Sequence, residues 1–272
     1  MKKTNKIMAV IGGVAVFAGA SASAQTLIDQ WNFNETSGTT AANTVGGGAS
    51  ASLMGGATFN GSGGVALNGT TGTGISLGSG LLNGLTSVTF EGWFSYTGAA
   101  NNPLFSFNNN NIWSGTYLRF NLNGHSGNDY IEPISGWGGH VLNGTPLANN
   151  TLNHIAVIYD PSASYEAIYV NGSLATSYSG APADVPALSN YAGFNGSIGL
   201  SPWISANGYT PDDPYLNGTI DQFSIYNGAL SGSQIAADFA AGPAPVPEPG
   251  TCAMLAGGIG MLLAGFRLRK NK

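Results

Sequence analysis

Between Gln25 and Gly242 the chain is written in short apolar runs broken by Gly, Asn, Ser and Thr. Val88-Thr-Phe-Glu-Gly-Trp-Phe-Ser-Tyr96 and Leu152-Asn-His-Ile-Ala-Val-Ile-Tyr159 are rich in β-branched and aromatic residues, which suit a pleated, half-buried surface. Ala167-Ile-Tyr-Val170 and Thr219-Ile-Asp-Gln-Phe-Ser-Ile-Tyr226 repeat the pattern. Ten Asn-Gly dipeptides punctuate the stretch, from Asn60-Gly61 to Asn227-Gly228. Asn-Gly accepts positive φ at both central positions of a tight turn, so these pairs predict hairpins. Many short strands with regular turn signals predict an antiparallel sandwich or barrel. Helical periodicity surfaces once: Ser231 can cap a helix running to Ala241, with Ile235 and Phe239 on a common face. No helices alternate with the strands, which excludes a doubly wound sheet and a TIM barrel. The body is predicted as one all-β domain over residues 25–241.

The ends follow other patterns. Residues 1–24 combine basic Lys2, Lys3 and Lys6, an apolar stretch from Ile7 to Ala20, and the small-residue exit Ala22-Ser23-Ala24. That order predicts a secretory signal peptide, cut by signal peptidase before Gln25. Residues 242–250, Gly242-Pro-Ala-Pro-Val-Pro-Glu-Pro-Gly250, form a spacer, because proline lacks an N–H donor and fixes φ. Residues 251–272 hold the apolar run Thr251–Phe266, predicted as a hydrophobic helix, and a tail with Arg267, Arg269, Lys270 and Lys272. Sixteen residues at about 1.5 Å each fall short of a hydrocarbon core of about 30 Å, so the run is a marginal span. The basic tail would stay on the cytoplasmic side.

Pro247, Glu248 and Pro249, the apolar segment and the basic tail together resemble the PEP-CTERM sorting signal of Gram-negative bacteria. The resemblance implies recognition by an exosortase, transient association with the inner membrane, and delivery to the cell surface or the extracellular polysaccharide matrix. A C-terminal anchor that is simply retained is the alternative.

Charge narrows the partners. The 272 residues carry a formal charge of −5, with 8% charged residues. Seven of the eight basic residues lie in the termini; between Gln25 and Val246, Arg119 stands alone against twelve acids, a local balance of −11. A phosphate backbone needs Lys or Arg to replace its counterions, so nucleic acid is excluded as a partner. The same deficit argues against binding of the body to anionic membrane. The single Cys252 forms no disulfide within the chain and no cysteine-based zinc cluster.

Several blocks resemble the laminin-G-like, concanavalin A-type jelly roll. Trp31-Asn-Phe-Asn-Glu-Thr-Ser-Gly38 is similar to its opening strand and turn, and Val88-Thr-Phe-Glu-Gly-Trp-Phe94 to its central strand. Leu152–Asp160 with Ile168-Tyr-Val-Asn-Gly172, and Leu216–Ser231, are similar to its later strands and exit. The resemblance implies an antiparallel jelly-roll sandwich from Trp31 to Ser231. It implies no single activity, since this fold carries lectins, adhesins, scaffolds and glycan hydrolases. It also implies a structural Ca²⁺ near the rim, where Glu35 and Asn43 would approach Asp221 if the first and last strands pair; such an ion wants six to eight oxygens. Asp212-Asp213 is a second acidic candidate, or a solvated loop pair.

Catalysis finds no support in the residues. Asp129-Tyr-Ile-Glu132 is the nearest approach to a carboxylate pair, but residues three apart on a regular strand face opposite sides, so both read as solvated rim acids. His125 and His140 lie in Gly-rich loops, His154 reads as a packed strand residue, and no Gly-x-Ser-x-Gly elbow is present. Glycan binding has the better rationale, since sugar rings pack on aromatic faces while their hydroxyls bond to amides and carboxylates. Trp31 and Trp93 read as core. Trp113, Trp137 and Trp203 sit instead in Asn111-Ile-Trp-Ser-Gly115, Ser135-Gly-Trp-Gly-Gly139 and Ser201-Pro-Trp-Ile-Ser205, either as exposed stacking platforms or as plugs of the sandwich edge. The expectation is a non-enzymatic, exported, lectin-like module for polysaccharide or cell-surface glycan. A structural coat or matrix protein and a glycan hydrolase are the alternatives.

Overall fold

The structure is a computed structural model that describes residues 25–98, 102–109, 115–122, 130–136, 138–144, 146–200 and 215–244. In chain order, the first strands are β1 (Thr26–Trp31), β2 (Thr40–Ala41), β3 (Ala51–Met54), β4 (Thr58–Phe59), β5 (Val65–Asn68) and β6 (Gly74–Ser79). Then come β7 (Val88–Tyr96), β8 (Asn102–Asn108), β9 (Tyr117–Leu122), β10 (Tyr130–Ser135), β11 (Gly138–Gly139) and β12 (Leu142–Asn143). The last are β13 (Asn153–Asp160), β14 (Tyr165–Val170), β15 (Ser173–Ser179), β16 (Asn195–Ile198) and β17 (Asn217–Asn227), followed by the helix α1 (Gly232–Ala241).

These strands build the expected antiparallel jelly-roll sandwich. One sheet runs β15-β14-β13-β7-β17-β5-β4, with β1 also on β17; the other runs β11-β10-β9-β8-β16-β6-β3-β2, with β12 also on β10. The first and last strands do pair, Trp31 opposite Phe223. On that same edge of β17, β5 pairs with residues 217–220, so Asp221 and Gln222 fall between the ends of β1 and β5.

The core is aromatic. Phe90 and Phe94 of β7, Phe105 and Phe107 of β8, Phe120 of β9, Phe223 of β17 and Trp31 are all buried between the sheets. Phe90 sits 4.7 Å from Phe105 and Phe105 5.7 Å from Phe223, centroid to centroid. Each such side chain contributes about 1.5–3 kcal/mol by leaving water.

The first sheet buries its other face as well. Ser231 caps α1 in a capping box with Gln234, and Ile235 of the helix packs on Ala156, Ile158, Ala167 and Leu230. Trp31 is core, as expected. Trp93 is buried on the opposite face, because Phe90 and Phe94 take the inward positions of β7; it packs against His154 at 4.9 Å and stacks on Phe239 at 5.8 Å.

The Asn-Gly pairs divide. Among the described residues, Asn171-Gly172 alone makes a two-residue hairpin, joining β14 to β15 with φ of 49° and 75°. Asn195-Gly196 lies inside β16, and Asn217-Gly218 opens β17. At Asn60, Asn68 and Asn83 the side-chain oxygen accepts backbone N–H groups of Ser62, Thr70 and Gly193. An asparagine that bonds to backbone organises a longer loop as readily as it enters a tight turn. The proposed signal peptide at 1–24 and the sorting segment with Pro247, Glu248 and Pro249 lie outside the described residues.

Candidate functional site

Alternation in β9 and β10 sorts their side chains. Leu118, Phe120 and Leu122 of β9 and Ile131 of β10 enter the core. Tyr117, Arg119 and Asn121 of β9, with Tyr130 and Glu132 of β10, therefore stand on the sheet's other face. Register places Glu132 opposite Arg119 and Tyr130 opposite Asn121. Arg119 Nε donates to Glu132 Oε2 at 2.7 Å. The guanidinium carbon lies 5.3 Å from the Tyr117 ring centroid and 5.7 Å from that of Tyr130. All five residues are buried although they face away from the core. Burial, and next the Glu132 charge, push the Tyr117 phenol upward against the opposing Arg119 charge, so it remains protonated. Glu132 is thus no solvated rim acid: its direct cross-strand neighbour is the body's single cation, and pairing is what allows either charge to be buried.

The structure places the calcium candidates unequally. Asn43 is fully engaged: its amide donates to Asp29 Oδ1 at 2.6 Å, and its oxygen accepts from the backbone of Gln30 and Val45. It holds the turn and has no lone pair to spare for a cation in that arrangement. Glu35 Oε1 accepts from Ala42 N at 2.7 Å. Its Oε2 is buried without a hydrogen-bond partner, as are Asn32 Oδ1 and Asn34 Oδ1. Between those asparagines, buried Phe33 adopts φ +50°, a costly backbone for a bulky residue. Asp221 sits at a bulge of β17, beside Gly64 and Asn60, and burial raises its carboxyl. Oxygens of this kind fit a hard cation in chemistry. No group of three His, Cys, Asp or Glu with metal-holding geometry occurs among the described residues.

Two further titratable clusters escaped sequence reasoning. Glu166, on β14, is fully buried and faces His140, Nδ1 to Oε2 at 3.0 Å. Burial, then the nearby Asp184 charge, push Glu166 up to about 8; burial pushes His140 down. Tyr178 stacks on His140 at 4.0 Å and donates to Asp184. Beneath α1, His154 Nε2 lies 2.9 Å from Glu91 Oε1, and burial followed by the Glu91 charge raises Asp238 of the helix. His154 is packed, as expected, and the polar neighbour of its ring is the Glu91 carboxylate.

Trp113, Trp137 and Trp203 lie outside the described residues, as do His125, Asp129, Asp212 and Asp213. Their described flanks are informative. Thr116 precedes β9, Gly136 follows β10, and Gly136 N donates to Thr116 Oγ1 at 3.1 Å. The stretch with Trp203 departs instead from the Ile198 end of β16, which pairs with Phe105 and not with the Asn108 end of β8.

A family model for the concanavalin A-like lectin/glucanases superfamily matches residues 68–236, and one for the PEP-CTERM protein-sorting motif matches residues 245–270. The latter marks an exported protein processed at the membrane. No curated protein matches the chain. Among solved structures, it is similar to domain 4 of AbnA, a GH43 extracellular arabinanase from Geobacillus stearothermophilus, in complex with arabinotriose. That similarity has a TM-score of 0.61 at 20% identity and covers 78% of this chain and 98% of the other. The NanB sialidase from Streptococcus pneumoniae gives 0.52 at 20% identity over 64% of this chain, and a Trypanosoma rangeli sialidase 0.53 at 14% over 78%. The matched region is 27% of the first sialidase chain and 32% of the second. At such identities the likeness carries the fold and nothing finer.

Proposed function

We propose, for a chain that belongs to the concanavalin A-like lectin/glucanases superfamily, the role of a non-catalytic glycan-binding protein at the cell surface or in the extracellular matrix of a Gram-negative bacterium. Residues 1–24 direct its export, and an exosortase processes the tail that carries Pro247, Glu248 and Pro249. One observation carries the binding assignment. The β9–β10 pairing ties Thr116 to Gly136, so the stretches bearing Trp113 and Trp137 start from adjoining points, at one end of a strand pair made rigid by its buried tyrosines and internally neutralised ion pair. Aromatic faces for sugar C–H groups and fixed polar groups for hydroxyls are what a glycan site requires.

The non-catalytic reading is supported by Glu132, which is held by Arg119 at 2.7 Å and is the single carboxylate in the strands of its sheet. Glycoside hydrolysis asks for two carboxyls, roughly 5–10 Å apart. A structural calcium is part of the proposal: Glu35 and Asp221, with the side-chain Oδ1 atoms of Asn32 and Asn34, would hold it, and it would fasten the opening turn to β17.

Affinity electrophoresis of the full chain in mild detergent, through gels containing a panel of polysaccharides, tests the assignment. Retardation by at least one polymer, lost in a Trp113→Ala/Trp137→Ala variant, is the expected result. Absence of retardation together with self-association would favour a structural matrix protein; release of reducing ends would make it a hydrolase.

A further inference from the structure

Strand register exposes a feature of the second sheet that residue-by-residue reading hides. Starting from Glu132 and Arg119, the next cross-strand partner is Ser106 on β8, and after it Ser197 on β16. The row continues through Ser76 on β6 and Ser52 on β3 to Thr40 on β2. Paired residues project on the same side of a sheet, and their neighbours Ile75, Leu77, Leu53 and Ala41 are core. A single line of hydroxyls thus crosses the outward face and ends on the ion pair.

The row has a closed half and an open half. Ser106 and Ser197 are buried, 3.0 Å apart, and both reach the Leu200 carbonyl. Ser76 is half-buried, while Ser52 and Thr40 are exposed. Among the described residues the hydroxyls of these last three make no side-chain hydrogen bond. The open half is therefore a set of evenly spaced groups, each able to donate and accept.

Charge says what such a track takes. Arg119 and Glu132 are the only charged residues in the nine strands of this sheet, and they neutralise each other. Carboxylated sugars are held by arginine forks or ammonium groups. The body has one such group, buried and already donating to Glu132; diverting it would leave Glu132 a buried, unpaired charge. A polyanion would also meet the −11 balance of the body, a repulsion that salt screens. Neutral sugar hydroxyls face neither penalty. Strands lie about 4.8 Å apart, close to the advance of one unit along an extended pyranose chain, so successive units can meet successive strands.

Resting on the glycan-binding reading, we propose that Ser76, Ser52 and Thr40 form a contact track for a neutral, extended polysaccharide, and that uronate- and sialate-bearing glycans are rejected. Affinity electrophoresis of the full chain should show retardation by a neutral polymer, mixed-linkage β-glucan or galactomannan, and none by polygalacturonate or alginate, at both 20 and 500 mM salt, screening lengths of about two nanometres and about half a nanometre. A Thr40→Ala/Ser52→Ala/Ser76→Ala variant removes exposed or half-exposed hydroxyls from the surface, so its melting curve should stay in place while affinity for the neutral polymer falls roughly tenfold. Retardation by an acidic polymer as strong as by any neutral one would overturn the specificity and leave glycan binding standing. Unchanged affinity in the triple variant would overturn the track. Failure to bind any polymer would remove the binding reading and the track together.

Discussion

Glu166 and His140 are a buried acid and a half-buried imidazole 3.0 Å apart, displaced from their ordinary values in opposite directions. The acid stands at about 8 in the folded chain and near 4.5 when unfolded. Between those values the folded state holds a proton that the unfolded state has released, so stability declines as pH rises, by up to about 1.4 kcal/mol per pH unit. His140 acts the other way. Its lowered value means that below about 6.5 the unfolded chain takes up a proton that the folded chain refuses, which erodes stability as pH falls. The two opposing slopes overlap in acid and leave an uncompensated decline from about pH 6.5 to 8. Thermal melting across that window should show a falling midpoint, and Glu166→Gln should flatten it. A midpoint equally flat in the parent chain would mean that Glu166 is ionised in the fold. Neither residue was legible beforehand. Glu166 follows Tyr165 at the start of a strand, where acids are ordinarily solvated, and only the register of β14 turns it inward.

Among the elements, α1 was the most legible, since its information is local. Ser231 and Gln234 specify the cap, and the structure closes the capping box with Ser231 Oγ accepting from Gln234 N and Gln234 Oε1 accepting from Ser231 N. Ser231→Ala should cost about 1 kcal/mol. For a domain of this size that lowers the melting midpoint by roughly 2–4 °C, while Ser231→Asn, which keeps an acceptor, should recover most of it. An equal loss in both variants would place the effect elsewhere than in the cap. Strands β9 and β10 are legible only in part. Tyr117-Leu-Arg-Phe-Asn-Leu122 alternates, which is the period of a strand with two different faces, and is followed at once by Asn123-Gly124, but the register that sets Arg119 opposite Glu132 depends on a partner strand and is not written locally. The hairpin reading of Asn-Gly holds at Asn171-Gly172 but not at Asn195-Gly196 or Asn217-Gly218: the dipeptide reports backbone permissiveness, and strand pairing decides where that permissiveness is spent.

At the scale of the whole molecule, the sandwich follows from alternation plus block order, while closure depends on contacts distant in sequence. The pairing of β1 with β17 joins residues nearly two hundred positions apart, and the gap it leaves before β5 is where Asp221 sits. That geometry makes the calcium proposal sharply testable. Without a cation, a half-buried Asp221 whose carboxyl is raised by burial is a liability at neutral pH, and Asp221→Asn relieves it. With calcium, the same substitution removes a ligand charge. The rank order of stability should therefore invert: the parent chain melts above the variant in calcium, and at or below it in chelator. Ligand at a hundredfold excess over its dissociation constant adds about 2.7 kcal/mol, so chelation should lower the parent midpoint by roughly 5–10 °C and leave the variant nearly unmoved. Asn43→Ala should lower the midpoint in both conditions alike, because its side chain serves Asp29 and the backbone of Gln30 and Val45. Parallel melting of parent and Asp221→Asn chains, with and without chelator, would remove the metal from the account and leave the buried oxygens of Asn32, Asn34 and Glu35 as a strained turn.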